Sequence, residues 1–76
     1  MIVEIITPGE VLFSGEAISV KLPGTCGSFE ALSNHAPLLS SLEKGSIVVR
    51  TSNGEETFKV SGGIVEVINN LSLIHI

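Results

Sequence analysis

The chain reads as short runs of alternating apolar and polar residues, cut at brief intervals by Gly, Pro and Asn. Val3, Ile5 and Thr7 fall on one side of the first run, and Ile2, Glu4 and Ile6 on the other. That two-residue period is the mark of a β-strand. Pro8-Gly9 ends this run with a turn pair. Val11 to Ser14 forms a short second strand, and Gly15 marks a bulge or bend after it. From Ala17 to Leu22 the alternation predicts Ile18, Val20 and Leu22 inside and Ala17, Ser19 and Lys21 outside. Gly24 and Gly27 bracket a turn, and Ser28 to Leu32 forms another strand. Pro37 has no N–H to give a ladder, so its neighbourhood is an edge or a strand start.

Two hairpins follow. Asn53-Gly54 favours a type I′ turn, because both residues tolerate positive φ. A two-residue loop there pairs Arg50 with Thr57, Val49 with Phe58, Val48 with Lys59 and Ile47 with Val60. Ile47, Val49, Phe58 and Val60 then share one apolar face. Ser61-Gly62-Gly63 is a break or bulge. Asn69-Asn70 suits a second tight turn, which pairs Val65 with Ile74, Ile64 with His75 and Glu66 with Leu73. Both faces of this second hairpin are apolar, as in a strand pair covered on both sides or by another subunit. No window shows sustained helical periodicity; Leu38 to Leu42 could form a helical turn, but Pro37 and Gly45 leave little room. The expectation is an all-β fold: a flattened two-sheet sandwich or barrel of about ten short strands, in a single domain spanning residues 1–76.

Composition adds a surplus of apolar surface. Hydrophobic residues make up 43% and charged residues only 16%, against a usual ~25% charged. A chain of 76 residues cannot hide all of that in its own core, so part of its apolar surface awaits a partner. The net charge is −4 with four Lys plus Arg and no Trp or Tyr, so neither a nucleic-acid surface nor a polybasic membrane anchor is present. No signal peptide is visible at Met1-Ile2-Val3-Glu4, and no apolar run approaches the ~20 residues of a spanning helix. The single Cys26 cannot form an internal disulfide, which favours a reducing compartment.

Candidate chemistry is sparse. His35 has Ser33, Ser40 and Ser41 nearby in sequence, but no Ser-His-acid arrangement is recognisable, and a loop histidine bonded to backbone is the simpler reading. His75 reads as a wet-edge residue of the last strand. Cys26, His35 and His75 lack the close ligand pairs of a zinc site. Gly24 and Gly27 are followed by no Gly-Lys-Ser/Thr, and Ser61-Gly62-Gly63 precedes a strand rather than a helix. No catalytic, cofactor-binding or metal-binding residue is assigned. The residues alone support a small β interaction domain, organised around the stretch from Leu22 to Leu39.

Several separated motifs also line up with one family. They are Phe13-Ser14-Gly15, the run from Leu22 to Leu39 ending in His35-Ala36-Pro37-Leu38-Leu39, the Lys44-Gly45 turn, and Val60-Ser61-Gly62-Gly63-Ile64-Val65-Glu66-Val67. In this order and spacing the chain resembles the N-terminal β-sandwich domain of the epsilon subunit of F-type ATP synthase, over essentially its whole length. The resemblance implies a non-catalytic rotor part that binds the gamma subunit and rests on the ring of c subunits. It implies a gamma-side interface at Asn34, His35, Ala36, Pro37, Leu38 and Leu39 with Gly62, Gly63, Ile64 and Val65. It implies a c-ring-side interface at Thr25, Cys26, Gly27, Ser28, Phe29 and Glu30. The location it implies is peripheral, on the cytoplasmic face of a bacterial inner membrane, with no direct membrane insertion.

There are departures. Ser33-Asn34 stands where the family often has Pro-Gly, Glu30 where it has Gly, and Ser28 where some members carry an acid. Many members continue into a helical hairpin that inhibits ATP hydrolysis and in some binds ATP; without it, neither inhibition nor nucleotide binding is expected of residues 1–76. Two other readings stand beside this one. One is a free-standing β module that captures a peptide strand along the Pro37 edge. The other is a small hydrolase using His35.

Overall fold

The computed structural model describes residues 1–25, 27–32 and 36–76. Nine strands follow one another: β1 (Ile2–Ile6), β2 (Val11–Glu16), β3 (Ser19–Gly24), β4 (Gly27–Leu32), β5 (Leu38–Leu42), β6 (Gly45–Thr51), β7 (Gly54–Val60), β8 (Gly63–Ile68) and β9 (Leu71–His75). They form one hydrogen-bonded path, β2-β1-β9-β8-β5-β3-β6-β7, with β4 added to β3. The path folds over at one joint. β5 and β3 pair only at Gly24 and Leu42, reinforced by Thr25 N–H donating to the Ser41 carbonyl (3.2 Å) and Glu43 N–H to the Pro23 carbonyl (2.9 Å). On one side of the joint lies a layer of β2, β1, β9, β8 and β5; on the other, a layer of β4, β3, β6 and β7. At the far ends of the path Phe13 of β2 meets Phe58 of β7 edge to face, with ring centroids 6.1 Å apart. The all-β sandwich expected from the sequence is therefore present, flattened to principal extents of 26 × 25 × 19 Å.

The core is the inner side of both layers. Val3, Ile5, Val65, Val67 and Ile74 from the first layer face Val20, Leu22, Ala31, Ile47 and Val49 from the second, and all are essentially inaccessible. Alternation selects them: each has outward-facing neighbours on its own strand.

The second hairpin has the register read from sequence, with Val65 opposite Ile74, Ile64 opposite His75 and Glu66 opposite Leu73. Asn69 (φ 46°) and Asn70 (φ 65°) both take the left-handed conformation that the turn requires. The first hairpin differs. Its loop is Ser52-Asn53, so Ile47 pairs with Phe58, Val48 with Thr57, Val49 with Glu56 and Arg50 with Glu55. Positive φ falls on Gly54 (127°) and not on Asn53, while Thr51 Oγ1 accepts from Asn53 N–H (3.2 Å) and donates to the Gly54 carbonyl (3.2 Å). The slip from the expected pairing is two residues, so the inward set is preserved.

Two further expectations, on Gly15 and on Ala17 and Ile18, are corrected, and the strand start expected near Pro37 is present. The bulge lies at Leu12, where Ile5 pairs with Phe13 and Ile6 with Val11, and β2 runs straight through Gly15. Ala17 is buried and Ile18 exposed, the reverse of the alternation. The period breaks there because β3 begins only at Ser19: Ala17 N–H donates to the Met1 carbonyl (2.8 Å) and Ile18 N–H to the Arg50 carbonyl (2.7 Å), which pins a corner. Ser19 keeps the outward side but is buried, on a strand flanked by β4 and β6. Leu38 to Leu42 is a strand, paired with β8, and not a helical turn; Pro37 stands just before it.

Candidate partner interface

The two layers present different outer faces. On the first layer the registers align three cross-strand rows. One holds Ile2 of β1, Leu71 of β9 and Ile68 of β8. The next holds Glu4, Leu73, Glu66 and Leu39 of β5, and the third Ile6, His75, Ile64 and Ser41. Leu39 is 71% exposed, Ile64 50%, Ile68 42% and Ile2 40%. Val11, opposite Ile6, extends this apolar field onto β2. The other layer is polar outside. Lys21, Glu30, Arg50, Glu55, Thr57 and Lys59 are all exposed, and a shallow trough of about 330 Å³ lies over Ser19, Lys21, Glu30, Val48, Arg50 and Glu55. Its Arg50–Glu55 pair is 3.6 Å apart with both side chains more than half exposed, so solvent screens most of its energy.

A cluster of exposed Ile and Leu on one side of a small domain makes that side the candidate docking surface, since scattered apolar exposure is ordinary and clustered exposure is not. Among the described residues there is no group of three or more His, Cys, Asp or Glu that could hold a metal. His75 is exposed on the first face, with β1 and β8 paired on either side of its strand; it is not an edge residue.

The sequence-predicted interface residues fall unevenly on this geometry. Ala36 and Pro37 are exposed ahead of β5, Leu39 and Ile64 stand on the apolar face, and Leu38 turns half inward. Val65 is corrected: it is fully buried between Ile74 and Ser40 in the pairing, and its side chain cannot reach a partner. Gly62 and Gly63 are half-buried, and Gly63 (φ 151°) has a structural reason to be glycine, because a Cβ there would run into the His75 carbonyl oxygen. Thr25, Gly27, Ser28 and Glu30 are exposed at the β3–β4 hairpin, while Phe29 leans on the core. Cys26, Ser33, Asn34 and His35 lie outside the described residues, so the interface and catalytic readings placed on them are not addressed. The two predicted patches adjoin. Thr25 Oγ1 and Ser41 Oγ share a hydrogen bond of 2.9 Å, and a depression of about 510 Å³ runs between Phe29 and Leu38-Leu39. A second depression, about 270 Å³, lies on the other side of Leu39, against Glu66 and Ile68.

Sequence reasoning missed Ile2, Ile6, Ile68 and Leu71 as members of this surface. The signal was partial: the β8–β9 hairpin is apolar on both faces. Only the parallel pairing of β1 with β9 reveals how far the field extends.

Comparison with known proteins agrees with this architecture. The family model described as the ATP synthase delta/epsilon chain β-sandwich domain matches residues 1–75. The ATP synthase epsilon chain of Chlorobaculum tepidum is 42% identical over 72 residues, which is 93% of this chain and 82% of that protein. That of Bartonella henselae is 39% identical over 67 residues, 88% of this chain but only 49% of the relative. Among solved structures, a chain of the Euglena gracilis mitochondrial ATP synthase, resolved with OSCP, F1 and c-ring, superposes with a TM-score of 0.91 at 19% identity, over 99% of this chain and 49% of that one. A chain of the Tetrahymena thermophila mitochondrial ATP synthase central stalk and c-ring gives 0.83 at 20% identity, over 97% and 60%. At those identities the superpositions speak to the fold. The family match over nearly every residue, with relatives near 40% identity, shows that the chain belongs to the ATP synthase delta/epsilon chain β-sandwich family.

Proposed function

We propose that this domain is a non-catalytic central-stalk part of an F-type ATP synthase, held to the gamma subunit and seated on the c ring, which helps carry torque between ring and catalytic head. The observation that carries the reading is the apolar outer face of the β1, β9, β8 and β5 layer, which a freely soluble domain has no reason to keep. A rotor part needs a static, well-packed joint, and burying Ile2, Leu39, Ile64 and Ile68 against a partner supplies one. On this reading the β3–β4 hairpin, from Thr25 to Glu30, points toward the c ring. The chain then works as a peripheral component at the cytoplasmic face of a bacterial inner membrane. Peptide-strand capture has weaker support. Of the sheet's edges, β2 and β7 are blunted by the Leu12 bulge and by Glu55, Glu56 and Lys59, while β4 and the side of β5 that follows Pro37, joined to β3 only at Leu42, stay open to a strand.

The test is co-purification with the gamma subunit of the same synthase. Leu39→Asp and Ile64→Asp should each release the domain while leaving its circular dichroism spectrum intact. Retention of both variants at the wild-type level would overturn the assignment of this face.

A further inference from the structure

Charge is segregated between the two layers. Lys21, Arg50 and Lys59 all lie on β3, β6 and β7, and Lys44 lies in the β5–β6 turn; none of the five strands of the first layer carries a Lys or Arg. The apolar face of that layer nevertheless holds two carboxylates in its central row. Glu4 is opposite Leu73, and Leu73 is opposite Glu66, so a single leucine separates them. Two strand spacings put their backbones about 10 Å apart. Ser14 Oγ donates to Glu4 Oε2 at 3.4 Å, and among the described residues neither carboxylate forms an ion pair. His75 stands diagonal to both in the next row.

Covering this face takes both carboxylates out of water. A purely apolar cover would strand them unpaired, which opposes docking. A second copy stacked about a two-fold axis would bring four carboxylates together. An anionic lipid surface would repel them. We infer that the face is shaped for an amphipathic helix of a partner protein, laid across the strands along the central row, whose apolar side chains rest on Leu73 and Leu39 and whose Lys or Arg side chains meet Glu4 and Glu66. On a helix, positions i and i+7 share a face about 10.5 Å apart, which matches the carboxylate spacing. This inference rests on the proposed function in taking the partner as protein, and it adds the chemistry by which that partner is chosen.

The test uses the whole 76-residue chain and two synthetic helical peptides with one apolar stripe. One carries Lys at positions seven apart beside the stripe; the other carries Glu there. The Lys peptide should bind more tightly at low salt by about tenfold, and the difference should shrink as salt is raised. Glu4→Gln with Glu66→Gln should abolish the discrimination, while Glu55→Gln with Glu56→Gln, on the opposite layer, should preserve it. Equal binding of the two peptides to the wild-type chain would overturn the inference. So would undiminished discrimination by the Glu4/Glu66 variant, or a variant that merely begins to self-associate in sedimentation while still discriminating, since its carboxylates would then be guards against self-association. Failure of wild-type chain to bind the gamma subunit, with peptide discrimination intact, would sink the functional reading and leave this inference standing.

Discussion

Ile64 and Val65 are adjacent on β8 and differ in what they do. Val65 is fully buried and paired with Ile74 and Ser40, whereas Ile64 is half exposed on the opposite side. Truncating Val65 to Ala removes two buried carbons, about 1.6 kcal/mol at ~0.8 kcal/mol per carbon. The residual cavity of roughly 50 Å³ adds about 1 kcal/mol at ~24 cal/mol per Å³. The expected loss is thus roughly 2–3 kcal/mol, from a total of about 4–11 kcal/mol for a chain this short. Thermal unfolding should move down by roughly 10–20 °C, at ~4–8 °C per kcal/mol. Ile64→Ala should cost below about 1 kcal/mol, because that side chain is still wet in the free domain. The gamma affinity should respond in the opposite order, with Ile64→Ala weakened and Val65→Ala, measured well below its midpoint, nearly unchanged. Urea titration with circular dichroism measures the first quantity and calorimetric titration the second. Equal destabilisation by the two substitutions would show that the outer side of β8 is not open in the isolated domain, and the argument for a docking face would fall.

Other outcomes follow from the backbone and from the closure of the sandwich. Gly63→Ala should destabilise by about 2 kcal/mol or more, because its Cβ collides with the His75 carbonyl and its φ of 151° disfavours any side chain; urea midpoints report it, and a neutral result would mean that the β8–β9 pairing is wrong. Asn70→Ala should cost on the order of 1 kcal/mol and Asn70→Gly should not, since the position needs positive φ; thermal melts of the two variants decide. Phe13→Leu and Phe58→Leu should show a coupling of roughly 0.5–1.5 kcal/mol in a double-mutant cycle, because the two rings join the ends of the sheet.

What the sequence disclosed depended on how local the cause was. The β8–β9 hairpin could be paired residue for residue, because the conformation of its turn is set by Asn69 and Asn70 themselves. The β6–β7 hairpin was placed correctly but paired two residues off, because Thr51 closes the loop with its hydroxyl and leaves the positive φ to Gly54 alone. Ala17 and Ile18 were inverted because a corner pinned by Met1 and Arg50 interrupts the strand period, and neither partner is near in sequence. The docking face was only half visible for the same reason. Its β8 and β9 positions show in the two-sided apolar pattern, but Ile2 and Ile6 join them through a parallel pairing across some seventy residues of chain. Val65 adjoins interface positions in the motif, and because both faces of the β8–β9 hairpin are apolar, only the packing of the two layers shows that it belongs to the core.

Methyl cross-saturation between a labelled domain and unlabelled gamma subunit tests the central claim most directly. Saturating gamma should attenuate the methyls of Ile2, Leu39, Ile64, Ile68 and Leu73 and spare Val48 on the opposite layer. Attenuation centred on Val48, or no attenuation at all in a mixture at micromolar concentration, would contradict the account.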